Sequence, residues 1–247
     1  MVEIPSADQA AARINDGTSR DGPAIDQADV LERLLTDRWS CRGYLPKPVP
    51  HQCIERLLNI ARRSASWCNT QPWTTYICEG ESTRDFRAAV IAEAMSGNPA
   101  PDIAFPTRYT GKSQERRKAV AEQLYDSVGI ARGDREASNA QTAKNFEFFG
   151  APHVAIMTSK AELGTYGVLD CGLYLNSFLL AAQSLGLGAI PQAALALVAP
   201  AARTFFDIPS DQIVVCGISF GWPDLEHPAN RFRATRADLD ETVVWRT

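Results

Sequence analysis

"GVLDCGLYLNSFLLAAQSLGLG", residues 167–188, is apolar on nearly every side of the helix that its leucines and alanines favour, and Gly186 and Gly188 close it. A helix without a wet face is normally buried, here either in a core or at a subunit interface. On its N-terminal side "HVAIMTS" (153–159) reads as a short apolar strand. On its C-terminal side come a tight segment, "AIPQAAL" (189–195), a helix over 200–206, and a second buried strand in "QIVVCGISFGWP" (212–223). Further upstream "TTYICEG" (74–80) is rich in β-formers and ends at Gly80, which predicts another strand. These strands do not alternate regularly with helices. The pattern therefore favours an α+β fold over a doubly wound α/β sheet.

The remaining helices carry ordinary amphipathic signals. "ADVLERLLT" (28–36) has Val30, Leu31, Leu34 and Leu35 at helical spacing. "HQCIERLLNIARRS" (51–64) places Ile54, Leu57, Leu58 and Ala61 on one face, with Pro50 suited to its first turn. Residues 113–129 and 134–150 predict two more helices, the first with Ser113 as a candidate N-cap. Before them "SGNPAPDIAFPTRYTGK" (96–112) reads as a long loop, a type often functional in compact domains.

Composition narrows the partners. The 247 residues suffice for a substantial core, with 45% hydrophobic and 22% charged residues. A net charge of -4 argues against a nucleic-acid partner, so any anion site must be a local cluster. No apolar run approaches the ~20 residues that span a bilayer, so no membrane partner is expected. Residues 1–27 are polar and lack a basic region followed by an apolar one, which predicts a mobile or partner-packing arm before a single domain over 28–247. Six cysteines without a CxxC pair, beside only three histidines, argue against a metal site and for free thiols in a reducing cytoplasm. Cys216 fits a small core residue.

No GxGxxG follows a strand, and no GxxxxGK[ST], GxSxG or HExxH occurs. What stands out instead is "DRWSCRGYLPKPVP" (37–50), with Arg38, Ser40 and Arg42 on alternate positions. In an extended segment these point the same way. A late cluster, Arg231, Arg233 and Arg236, follows near the C-terminus. Planar guanidinium forks suit a phosphate monoester, although an arginine pair taken alone is more often a solvated face. "RRSASWCNTQPW" (62–73) adds Ser66, Asn69 and Gln71, neutral groups that match the donor and acceptor edge of a heterocycle. A helix-terminating turn anchored by Trp73 accounts for that stretch equally well.

Together, "RWSCRGY", "PVPHQCIERLLNIARRSASWCNTQPW", "NFEFFGAP", "LDCGLYLNSFLLAAQSLGLGAIPQAAL" and "VVCGISFGWPD…NRFRATR" resemble the FMN-dependent nitroreductase family, nearest to its bacterial nitrobenzoate-type members. The resemblance runs from about residue 30 to the C-terminus with its motifs in order. It implies a central, mainly antiparallel sheet flanked by helices, a homodimer, and FMN at the subunit interface. By position, Arg38, Ser40 and Arg42 would meet the ribityl phosphate and the pyrimidine edge, with Trp39 contributing backbone only. Arg236, with Arg233 or Arg231, would close on the phosphate. Ser66, Trp67, Asn69 and Gln71 would line the ring from the other protomer, and Pro191, Gln192 and Ala193 would pass its N5 and O4 edge.

The implied activity is NAD(P)H-dependent reduction of nitroaromatic or related electron-poor small molecules by a ping-pong hydride mechanism. The flavin N5 carries the hydride and Arg42 acts as electrostatic stabiliser, with no catalytic side-chain acid or base. Alternatives within the same fold are a reductase of quinones or activated alkenes, another specialised flavin enzyme, and a non-catalytic flavin-binding regulatory protein. Phe105 and Tyr109 of the long loop are candidates for substrate contact. The sequence departs from the family pattern at Ala65, where proline is frequent, and at Trp67 and Cys68, where residues are small. Trp67 would narrow the substrate pocket.

Overall fold

A computed structural model describes residues 26–246. The chain separates into two units, residues up to Asp37 and residues from Arg38 onward. The expected N-terminal arm lies almost wholly outside the described residues. What is described of the first unit is helix α1, Gln27–Asp37, which buries none of its residues and exposes Leu31 and Leu35.

The second unit is built on four strands: β1 (Trp73–Cys78), β2 (His153–Lys160), β3 (Gly188–Gln192) and β4 (Gln212–Gly221). They form one sheet in the order β1-β2-β4-β3, with every neighbouring pair antiparallel. Helices α2 (His51–Ala61) and α6 (Gly164–Ser184) cover one face. Helices α3 (Glu81–Met95) and α7 (Ala199–Phe206) cover the other. Alternation divides β2 between the two cores: Ala155 and Met157 join Ile54, Leu57 and Phe178, whereas Val154 and Ile156 join Phe86 and Val90. In β4 the register shifts opposite Met157 and Thr158, leaving Val215 as an extra residue. Val214 therefore packs on the α3 side, while Val215 and Cys216 both pack on the α6 side. The α+β architecture expected from the sequence is the one observed.

Three local expectations are corrected. The "AIPQAAL" segment begins as strand β3, because α6 stops at Ser184 and the left-handed turn at Gly186 (φ 73°) returns the chain to the sheet. Pro191 is tolerated in that strand because β3 is the edge of the sheet, with β4 on one side and only an isolated bridge at Ala189 on the other. The helix expected over 134–150 ends at Ala143, as α5 (Arg135–Ala143). Beyond it Phe148 and Phe149 take left-handed backbone (φ 57° and 52°), which buries Phe148 on Phe86 with ring centres 5.6 Å apart. The helix before it, α4 (Gly111–Ser127), starts behind Thr110 rather than Ser113 and has no buried residue.

Residues 96–110 form the long loop expected from the sequence. Its first half is pinned: Ala100 N–H donates to Leu197 O (2.9 Å), and Asp102 accepts from Arg203 and from Val214 N–H, both at 2.6 Å. A last short helix, α8 (Leu239–Thr242), is tied to α4 by the Glu241 carboxylate, which meets Lys112 and Arg116. Among the described residues no helix is long and apolar enough to cross a membrane.

Candidate functional site

The segment carrying Arg38, Ser40 and Arg42 runs beside β3. Ser40 bridges Ala189 in parallel pairing, and Cys41 N–H donates to Ala189 O at 3.2 Å. Cys41 is fully buried, so by strand alternation Ser40 and Arg42 share the opposite side. The close approach requires Gly188, where a Cβ would stand 2.6 Å from the Cys41 sulfur.

A second stretch, residues 224–233, is clamped to this one by Asn230. Its Oδ1 accepts from Arg42 N–H (2.7 Å), and its Nδ2 donates to the carbonyls of Gly43 and Asp224, each at 2.8 Å. The Asn230 carbonyl accepts from Arg233 (2.8 Å), whose guanidinium lies 4.3 Å from the centre of the Trp39 ring. The two arginine clusters from opposite ends of the sequence therefore meet. Arg236 joins them closely enough that, after burial, its charge is the next cause lowering the Arg38 pKa. Burial also lowers the pKa of Arg42, which remains charged. Arg231 does not join; it turns to the Glu226 carboxylate at 3.3 Å.

The electrostatics are one-sided. Among the described residues Arg38, Arg42, Arg233 and Arg236 have no carboxylate partner. The buried Trp39 Nε1 has no acceptor either. Four guanidiniums converge here with backbone carbonyls but no carboxylate to accept from them, in a chain whose net charge is -4. That is the donor set an anionic ligand satisfies.

Arg42 also looks onto β3. With Ile190, Pro191, Gln192 and Ala193 it lines a pocket of about 200 Å³. Gln192 is buried and held on both sides, donating to Asn145 O (2.9 Å) and accepting from the Ser219 hydroxyl. The pocket shares Arg42, Leu124, Tyr125 and Asn145 with a larger open cleft of about 990 Å³, walled by α4 and α5.

Ser66, Trp67, Asn69 and Gln71 lie elsewhere. They precede β1, which occupies the opposite sheet edge from β3. Three interstrand spacings, ~14 Å, separate those edges. The loop is tightly made: Ser66 Oγ accepts from Gln71 N–H (3.0 Å), and Gln71 Nε2 donates to Asn69 O and Oδ1 (3.3 and 3.2 Å). Cys68, Asn69 and Gln71 all have left-handed backbone (φ 51°, 57° and 46°), an unfavourable arrangement held by these bonds. Asp170, buried in α6, anchors the loop by accepting from Trp67 N–H (3.0 Å). Trp67 is 59% exposed, and its ring meets Tyr166 edge-on, centres 4.4 Å apart. Tyr166, Leu169 and Leu173 continue an exposed apolar stripe along α6. The helix expected to be covered all round is thus covered on one side only within a single chain.

Of the two loop aromatics, Tyr109 lies 5.2 Å from the Arg117 guanidinium of the cleft wall, and Phe105 lines neither cavity. Sequence reasoning missed Asn230, Asp170 and the whole α4–α5 wall. Asn230 carried a weak signal, an amide between a His-Pro turn and two arginines; the wall residues carried none beyond helical charge.

This geometry matches a known class. The Nitroreductase family model matches residues 35–222, and the chain belongs to that family. It is 33% identical over 219 residues to the chloronitrobenzene nitroreductase of Comamonas testosteroni, covering 87% of this chain and 96% of that one. It is 30% identical over 233 residues to the 4-nitrobenzoate reductase of a Nocardioides species, covering 90% and 91%. Its structure superposes with a TM-score of 0.86 on the FMN-dependent nitroreductase NfnB from Mycobacterium smegmatis, solved in complex with NADPH, at 28% identity and covering 90% of this chain and all of that one.

Proposed function

We propose that the protein is an FMN-dependent oxidoreductase that takes hydride from NAD(P)H and passes it to nitroaromatic acceptors. The observation that carries this is the convergence of Arg38, Arg42, Arg233 and Arg236 without a carboxylate, beside an open cleft. Such a set fits the phosphate of FMN, and the Pro191–Ala193 segment next to it offers backbone to a ring. Bound FMN supplies two-electron hydride chemistry.

The chain's own residues bind and orient. Arg38, Arg233 and Arg236 hold the phosphate, and Ser40 and the Trp39 backbone hold the adjoining segment. Arg42 holds a fixed positive charge where the pocket and cleft meet, favouring charge that develops on a bound ring. No side chain is required to move a proton: His153 Nε2 accepts from Val49 N–H (2.9 Å) and His227 Nδ1 from Ala229 N–H (3.2 Å), so both imidazoles are engaged in structure. Water in the open cleft supplies the protons. Tyr109, beside Arg117 of the cleft wall, is assigned to the acceptor side; Phe105, which lines neither cavity, is not.

The site takes two chains in this reading. Ser66, Trp67, Asn69 and Gln71 stand at the wrong sheet edge for their own chain's arginines, yet directly beside the uncovered α6 stripe. A second copy seated on that stripe receives the loop, and the pair is a homodimer with ring contacts from the partner. A cytoplasmic location accords with six free cysteines and a diffusible nicotinamide donor.

The direct test is the visible spectrum of the purified protein. A flavin band that bleaches with NADPH without oxygen, and returns on adding 4-nitrobenzoate, is expected. A colourless protein that takes up no FMN, or a flavin that NADPH never bleaches, would overturn the proposal.

A further inference from the structure

The large cleft has a second positive wall that the flavin assignment does not use. Arg117 on α4, Arg132 in the α4–α5 turn and Arg135 at the start of α5 all line it. None of the three has a carboxylate partner among the described residues. The acids along the same wall are partly engaged. Glu122 faces Lys118 at 3.9 Å, and Asp134 caps α5 by accepting from Ala137 N–H at 2.9 Å. Asp126 and Asp134, which keeps its charge as a cap, are left against three guanidiniums. Tyr109 stacks on Arg117 without neutralising it.

We propose that Arg117, Arg132 and Arg135 form a second anion subsite, which takes an anionic group of the molecule that enters the cleft, a phosphate monoester or a carboxylate. This rests on the flavin reading and deepens it. The cleft joins the Arg42 pocket through shared walls, so a molecule with one end at the pocket extends along α4 and α5. Two sources carry such a group, the ribose 2′-phosphate of NADPH and the carboxylate of a nitrobenzoate. In a ping-pong cycle both pass through the same space. Guanidinium forks recognise either group bidentately. Because the wall is exposed, its effect weakens with ionic strength.

The test uses the FMN-loaded enzyme and an Arg132→Gln/Arg135→Gln variant in two arms at low salt. One compares kcat/KM for NADPH and NADH; the other compares 4-nitrobenzoate and nitrobenzene. A preference for the anionic member that falls at least tenfold in the variant is expected in one arm or both, and the arm that moves identifies the source. Ratios unchanged in both arms overturn the subsite while leaving the flavin reading intact. Calorimetric titration with adenosine 2′,5′-bisphosphate and with benzoate needs no turnover. Binding of one of them at least tenfold weaker in the Gln variant supports the subsite even if flavin chemistry fails, and equal binding of both contradicts it.

Discussion

Replacing Asn230 with alanine leaves the Arg42 N–H without its acceptor, while the carbonyls of Gly43 and Asp224 each lose one donor and keep another, Asp224 N–H and His227 N–H. One unpaired N–H costs about 1–3 kcal/mol, which corresponds to a fall in melting temperature of roughly 2–10 °C for a chain of this size. Thermal unfolding of Asn230→Ala measures it, and FMN affinity should fall with it because Arg42 and Arg233 lose their common clamp. Arg42→Ala acts differently. It removes one charged contact and no clamp, so FMN binding should weaken about 10–100-fold with little change in melting temperature. Fluorescence titration of apoprotein with FMN measures the loss of affinity in both, and the melting temperature separates the two variants. Arg38, Ser40, Arg42, Arg233 and Arg236 were legible in the sequence because alternate spacing and planar cations carry their geometry with them. Asn230 was not, since a buried amide acts through three backbone groups whose positions only the fold determines.

At the scale of elements, His153 at the start of β2 joins the sheet to the segment before α2 by accepting from Val49 N–H. Burial lowers its pKa from the ordinary 6.5. Above pH ~6.5 the imidazole is neutral in folded and unfolded chains alike. As pH falls below that value, the unfolded chain takes up a proton that the folded one refuses, so stability drops. Urea unfolding between pH 7.5 and 5 should show this loss, and His153→Gln should reduce it, with His227 contributing a slope of the same sign. The strands around His153 were readable from apolar runs. Strand β3 was not, because glycine and proline are poor strand formers and only the pairing with β4 overrides them. The early end of α5 was hidden for a related reason: no local preference calls for left-handed Phe148 and Phe149, and burial of Phe148 imposes it.

For the whole molecule, the proposed association of two chains would account both for the uncovered side of α6 and for the Ser66–Gln71 loop at the far sheet edge. Leu169→Glu/Leu173→Glu places charges on the stripe without touching the arginine cluster. Sedimentation should find this variant monomeric and depleted of flavin; a dimeric, flavin-replete variant would separate the stripe from the site. The sequence left open whether this apolar helix served a core or an interface. It does the first on one face through Phe178 and Tyr174, and in the proposed assembly the second on the other. Periodicity could not divide the two because both faces are apolar.

The most direct measurement of the proposed shared site is flavin content in hybrid dimers formed from Arg42→Ala chains and Asn69→Ala chains, each expected to be flavin-poor alone. If Arg42 of one chain works with Asn69 of its partner, one of the two sites in every hybrid is fully intact and the other carries both defects. Hybrids should then recover one flavin per dimer and NADPH-dependent reduction of 4-nitrobenzoate. If both residues serve a site within their own chain, no hybrid site is intact, and a mixture no richer in flavin than either parent would contradict the account.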